Sequence, residues 1–347
     1  PWDGIPGVPT VQRGAVVVKR YPIIPLAILV MLLVFPAITA DWLAPHDHRV
    51  GDLHIVLVPP AWVGSSQSTQ TVVDTVKDKE TEISLNSARR NVKKGISKIV
   101  GGGEETKLAI GDQVVREKIG GSWTYPLGTD KLGRDILSRI MHGARISLLV
   151  SSLAIFLGGG LGVALGLIAA YRGGLVDACI MRVVDIKLAF PSILLALVLV
   201  AVFEASLATV IIVISVLLWA RFARVVRGEA ISIKQRDFVD RARVSGASNI
   251  RIMVRHIFPN LVNTVVVLAT LEVGHVIILE STLSFLGAGI PRPTPAWGVM
   301  VSDGRELITS AWWIFLFPTL AIVLTVLSMN LIGDWLRDKL DPKLRNV

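Results

Sequence analysis

An all-α fold, polytopic in a membrane and carrying six transmembrane helices and a small extracytoplasmic insertion, is what this sequence predicts. Three observations support it. Hydrophobic residues occupy 52% of the 347 positions and charged residues only 18%, and the mean hydropathy is +0.60, a balance that belongs to a membrane chain. Apolar runs recur at 21–41, 146–171, 188–203, 208–226, 260–283 and 311–334, the third of them short. The net charge of +9 would point to nucleic acid in a soluble protein. Here the Lys and Arg residues cluster beside the apolar runs, so the charge reads as retention of basic loops in the cytoplasm.

Taken in order, residues 1–20 end in Arg13, Lys19 and Arg20, which keep this segment cytoplasmic. The run 21–41 is a first transmembrane helix rather than a signal peptide. It exceeds the usual length of a signal's apolar stretch, and Ile38-Thr39-Ala40 makes a poor cleavage site. Residues 42–145 then lie outside the cytoplasm. Within them 64–122 reads as an insertion, entered through Gly64-Ser65-Ser66 and left through Gly120-Gly121. Leu85, Ala88, Val92, Ile96 and Ile99 have helical spacing, Gly101-Gly102-Gly103 breaks it, and 106–118 suits a hairpin around Gly111-Asp112. The basic run Arg89, Arg90, Lys93, Lys94 and Lys98 is a solvated helix face or a contact for anionic lipid or a partner. Long loops translocate whatever their charge, so it does not upset the topology.

Residues 146–334 make a five-helix core. Its first span carries Gly158-Gly159-Gly160, Gly162 and Gly166, small enough for close helix packing. Arg172, Asp177, Arg182, Asp185 and Lys187 place 172–187 at the inner surface, and Pro191 stands near the start of the short span. Residues 335–347 are basic again and cytoplasmic, so six spans leave both termini inside. The lone Cys179 has no intrachain disulfide partner and reads as a small packing residue, while Trp297, Trp312 and Trp313 read as interfacial belt residues.

The loop 227–259 between the fourth and fifth spans is the most informative stretch. Phe238, Ala242 and Val244 precede Gly246, and Ile250, Met253, Val254 and Ile257 follow it. Both sets have helical spacing, predicting two short amphipathic helices with Ser245-Gly246-Ala247 as the turn. Pro259 opens the next span, where its missing N–H costs little. A compact protrusion with a knob-like apolar face suits the groove of a cytoplasmic partner.

Asp240-Arg241-Ala242, Gly246 and Pro259 resemble the EAA loop of ABC-importer permeases, with Asp240 for Glu, Arg241 for the middle Ala, His256 for Ile and Phe258 for Leu. The string Pro126-Leu127-Gly128-Thr129-Asp130-Lys131-Leu132-Gly133-Arg134-Asp135 reads by itself as a turn and an N-capped amphipathic helix. Followed by Gly143-Ala144-Arg145-Ile146-Ser147-Leu148, it closely resembles the dipeptide/oligopeptide/nickel permease family. So do Glu280–Gly287, Pro293–Gly298 and Asn330–Asp334 with Leu340-Asp341-Pro342. The resemblance covers about 15–62 and 122–345 and leaves the insertion outside.

The resemblance implies the C-type permease subunit of a heterodimeric importer in the cell (inner or plasma) membrane. With a second homologous permease it would form the path for dipeptides, oligopeptides or nickel. Its other implied partners are two ATPase domains or subunits, which bind ATP and Mg²⁺, and an extracytoplasmic solute-binding protein; membrane lipid surrounds it, and nucleic acid has no part. Coupling to the ATPases would run through 236–257, with Asp240, Arg241, Ala242, Arg243, Ser245, Gly246, Ala247 and Pro259 as the coupling residues.

The residues themselves show no phosphate loop of the form GxxxxGK[ST], no nucleophile elbow, no HExxH pair and no zinc spacing, so the chain reads as neither an enzyme nor a metal binder. Glu272, His275 and Glu280 fall inside the fifth span, where ionisable groups usually face a protein interior or a watery cavity. All three are candidates for the substrate path, contacting a peptide amino group or a cation; Glu272 and His275 share a helix face, and helix-end solvation is the alternative for Glu280. Packing against a second permease is another alternative, and Glu280 matches a commonly acidic position of the family. Two other functions compete. A secondary transporter would use Glu272 and His275 as a proton or cation relay; a membrane-anchored sensor would use the insertion as its working domain.

Overall fold

The computed structural model describes residues 22–53, 55–71, 113–118 and 120–340. The chain forms two compact units, one made of residues 1–51 with 134–347 and the other of 52–133. The segments 1–20 and 341–347, and the helix expected over Leu85–Ile99, lie outside the described residues.

The larger unit is all-helical. It contains α1 (Ile23–Leu43), α2 (Ile136–Arg172), α3 (Gly174–Ala189), α4 (Ser192–Phe203), α5 (Leu207–Lys234), α6 (Asp237–Val244), α7 (Asn249–Phe285), α8 (Trp297–Gly304) and α9 (Trp313–Leu340). Five of these, α1, α2, α5, α7 and α9, are long and apolar enough to cross a membrane. α3 and α4, bent by 92° where they meet, pass the same test only as a pair, so the described residues hold five spans, or six if the bent pair counts as one. Pro191 explains that break. It disfavours helical geometry in the residue before it, and Phe190 is extended at φ −85°, ψ 137°.

Several helices are longer than the apolar runs. α2 starts ten residues before position 146 because Asp135 caps it, its carboxylate accepting from the Ser138 N–H at 2.8 Å. α5 continues through the basic residues to Lys234, and α9 to Leu340. α2 and α5 pack closely through the expected glycines. A Cβ on Gly158 would stand 2.4 Å from the Ser215 carbonyl oxygen, and one on Gly166 2.6 Å from that of Ala223. Only glycine permits that spacing. α7 packs along α9, and α1 against α2 and α9.

The packing role expected of Cys179 and the belt role expected of Trp297 and Trp313 do not hold, whereas Trp312 is exposed. Cys179 is exposed on α3 rather than packed. Trp297 is wholly buried and Trp313 nearly so; the Trp297 indole N–H donates to the Ile140 carbonyl at 2.9 Å. A belt residue would keep its N–H in the interface, whereas this one is satisfied by backbone inside the bundle.

In the smaller unit β1 (Ser66–Thr71) pairs antiparallel with β2 (Gln113–Lys118), in register Ser66↔Lys118 through Thr71↔Gln113. The strand expected at the end of 106–118 is present and pairs with the entrance to the insertion; the rest of the expected hairpin, 106–112, lies outside the described residues. The Gly121 N–H donates to the Val63 carbonyl at 2.8 Å, so the two ends of the insertion meet. Gly133, at φ +71°, is pressed against Asp52, whose carbonyl oxygen would lie 1.9 Å from any Cβ. Thr129 Oγ accepts from the Val58 N–H and donates to the Ile55 carbonyl. The PLGTDKLG residues thus serve as a turn frame inside this unit.

Candidate functional site

The end of the bundle that carries the C-termini of α2 and α5 is built around Gly246. α6 closes in a Schellman cap: the Gly246 N–H donates to the Arg243 carbonyl and the Ala247 N–H to that of Ala242, both at 3.1 Å. Gly246 adopts φ +79°, and a Cβ there would meet nothing within 4 Å. Glycine is needed here for its backbone conformation and not for lack of space. Ser245 Oγ donates to the Arg241 carbonyl, closing the same end.

Beyond the turn the structure departs from two short helices. The second is the start of α7, which runs unbroken from Asn249 through a π-helical turn at Ile252–Ile257 and past Pro259. The wide turn accommodates the proline, whose ring would collide with the preceding turn of a regular helix and which offers no N–H. The His256 carbonyl accepts from the Asn260 side-chain amide at 2.7 Å. The expected knob face also divides. Val239, Ile252 and Ile257 are buried in this chain's own core, with Phe238, Ala242, Ala247 and Met253 packed beside them. Val244, Ile250 and Val254 stay exposed, Val244 at 90%.

Side-chain contacts fix this loop to the bundle. Lys234 Nζ donates to the Ala170 and Tyr171 carbonyls at 3.1 and 2.7 Å, supplying a cation to the negative end of α2. Tyr171 Oη donates to Asn249 Oδ1 at 2.8 Å. Arg227 and Arg224 of α5 pair with Asp177 and Asp185 of α3, the Arg227 Nε to Asp177 Oδ1 contact measuring 3.0 Å. Asp240 is paired with Arg243 one turn away at 2.8 Å, and Arg241 remains exposed.

Farther along α5 and α7, buried Glu272 accepts from Arg221 Nη1 at 3.0 and 3.3 Å. Arg221 lines a small pocket with Lys187, Ser192, His275 and Leu279. The sequence pattern missed both cations, since Arg221 falls inside the apolar run 208–226 and Lys187 reads as an inner-surface residue. Glu280 is not in this cluster. It is buried near the other end of α7, where Ser284 Oγ donates to it at 2.7 Å and Ser281 Oγ at 3.5 Å.

That other end gathers residues of the strings at 143–148, 280–287 and 293–298. Gly143 leaves room for the Trp297 ring, 2.6 Å from where its Cβ would be, and Gly298 lies as closely against Ser281. Asp303 accepts from Arg292 at 2.6 Å and lies 3.9 Å from Arg139. Arg145 reaches Asp41 of α1 with two bonds of 3.2 and 3.0 Å, and His142 Nε2 stands 3.4 Å from the same carboxylate. His48 stacks on the His142 ring at 3.9 Å. Burial, together with the neighbouring His142 and Arg49, pushes the His48 imidazole down to about 4. Its Nε2 can then accept from Arg49 Nε at 3.3 Å.

The strings that carry the family resemblance within the larger unit thus divide between the two ends of one bundle, the Gly246 loop at one and the Gly143, Ser281 and Trp297 contacts at the other. Residues 162–346 match the family described as the inner membrane component of binding-protein-dependent transport systems, which is more than half of the chain. The chain belongs to this family. It is a permease subunit of an ABC importer and a multi-pass inner-membrane protein. ATP, Mg²⁺ and hydrolysis belong to ATPase partners, and the system includes a solute-binding protein.

The permease is 34% identical over 320 residues to the di/tripeptide transport system permease protein DppC of Pseudomonas aeruginosa (strain UCBPP-PA14), covering 92% of this chain and 88% of that one. It is 46% identical over 226 residues to the glutathione transport system permease protein GsiD of Escherichia coli O6:K15:H31 (strain 536 / UPEC), covering 65% and 75%. Among solved structures it resembles the inward-facing MetNI methionine ABC transporter, with a TM-score of 0.50 at 17% identity, over 58% of this chain and 96% of that one. This last likeness concerns the fold.

Proposed function

We propose that the permease carries small peptides, forming the membrane path together with a second homologous permease. The observation that carries this reading is the similarity to a di/tripeptide permease over 92% of the chain. In this reading both termini and the loop 227–259 are cytoplasmic, as the Lys/Arg excess beside the spans favours. The ATPase groove receives the exposed face of Val244, Ile250 and Val254, with Arg241 and the Asp240–Arg243 pair at its rim.

Ser245, Gly246 and Ala247 hold the angle between α6 and α7, and the π-helical turn before Pro259 passes a push on the loop into α7. Two packings of one bundle, biased by ATPase closure, would then alternate its access. Glu272 and His275 line the path, while Glu280 supports the far end of α7. Reconstituting both permeases, the ATPases and the binding protein in vesicles tests the proposal. Peptide uptake should require ATP hydrolysis; uptake driven by a proton gradient without ATP would favour the relay of a secondary transporter and refute it.

A further inference from the structure

The cluster around Glu272 holds more positive than negative charge, and two of its donors are idle. Arg221 spends only Nη1 on Glu272. Its Nε and Nη2 make no hydrogen bond among the described residues, so the edge of the guanidinium that matches a carboxylate stays open. Lys187, half-buried and lining the same pocket, makes no hydrogen bond or ion pair among the described residues. The nearby carboxylates of α3 are committed elsewhere, Asp185 to Arg224 and Asp177 to Arg227. Two fixed cations therefore face one carboxylate, an excess that is costly within a membrane unless an anion joins it.

We infer that Lys187 and the free edge of Arg221, with His275 beside them, form a site for the C-terminal carboxylate of the transported peptide. Glu272 holds Arg221 in position by its far nitrogen. This reverses the preference expected from Glu272 alone, which would favour an amino group or a cation. The small size of the pocket suits one end of a solute rather than a whole peptide. The inference rests on the proposed peptide transport.

The assembled complex in vesicles, supplied with its binding protein and ATP, would be compared for uptake of trialanine and of its C-terminal amide. Lys187→Gln should lower trialanine uptake about tenfold more than amide uptake, the loss of one charge-assisted hydrogen bond. Lys187→Arg should preserve it. The binding protein's own preference is common to wild type and variants and cancels in their ratio. If the wild type carries only the acid, the corresponding result is a tenfold loss in Lys187→Gln that is absent in Lys187→Arg. Equal losses for both peptides would overturn the inference and leave peptide transport standing. So would a fall in complex yield with unchanged uptake per complex, which would mark Lys187 as a counter-charge for the second permease. Failure of the wild type to carry either peptide would remove both readings.

Discussion

Replacing Gly246 isolates one backbone conformation, because the space around it is open. An L-residue has two choices at φ +79°. It can stay left-handed, at about 1–2 kcal/mol for alanine. Or it can leave, losing the two Schellman bonds at about 0.5–1.5 kcal/mol each. The costs are comparable, so Gly246→Ala should weaken the cap by about 1–2 kcal/mol and speed amide exchange at 246 and 247 roughly 5- to 30-fold. Asparagine tolerates this region better and should cost less, whereas β-branched valine should cost most. Hydrogen exchange on the assembled complex should therefore rank the variants Asn, Ala, Val in order of increasing rate. Solute-stimulated ATP hydrolysis should be lost in Gly246→Val while the protein still reaches the membrane. A valine variant with wild-type exchange, or with normal stimulation, would refute the reasoning.

Four further outcomes are expected. Glu272→Gln should cut uptake per assembled complex about tenfold and change its pH profile, because the pair of buried Glu272 with Arg221 is broken and Arg221 loses its counter-charge; His275→Gln should matter less, and an unchanged rate and profile for Glu272→Gln would count against a role in the path. Gly143→Ala should lower the thermal midpoint of the detergent-solubilised complex, since a Cβ 2.6 Å from Trp297 forces repacking at about 1–3 kcal/mol; an unmoved midpoint would refute it. His48 is neutral when folded, and its folded value of about 4 lies below the unfolded one near 6.5, so acid favours the unfolded chain. Stability should be full above about pH 6.5 and fall toward pH 4, by about 1–2 kcal/mol at pH 5, with a smaller decline in His48→Gln; equal pH slopes would sink this. Joining Val63 to Ser122 should preserve assembly and at least partial uptake, because the ends of the insertion already meet at Val63 and Gly121; complete loss of uptake in a normally assembled complex would give the insertion a part in handling substrate.

Linear chemistry was enough to mark the apolar runs, the cap before α2, the small-residue face of α2 and the turn at Gly246; Pro191 was visible near the start of the short span, but the break it makes there was not. Each marked feature depends on a property carried by one residue or one run: hydrocarbon area, a side-chain acceptor or a missing Cβ. Helix ends were less legible. Polar residues at the ends of α5 and α9 continue a helix as readily as apolar ones, and packing decides where it stops. Periodicity likewise could not tell which apolar faces of the loop turn inward. Val239 and Ile257 are buried while Val244 and Val254 are exposed, and only the placement of α6 against α7 separates them.

The charge cluster belonged wholly to the tertiary structure. Glu272 lies near His275 in sequence, but the group that neutralises it is Arg221, fifty-one residues away on another helix. Lys187 enters from a third helix, brought to the same pocket by the bend at Pro191. Spacing along one helix describes a single face, whereas the sign of a site is the sum over every element that reaches it. That sum is what turned a site expected to attract a cation into one with an unmet demand for an anion.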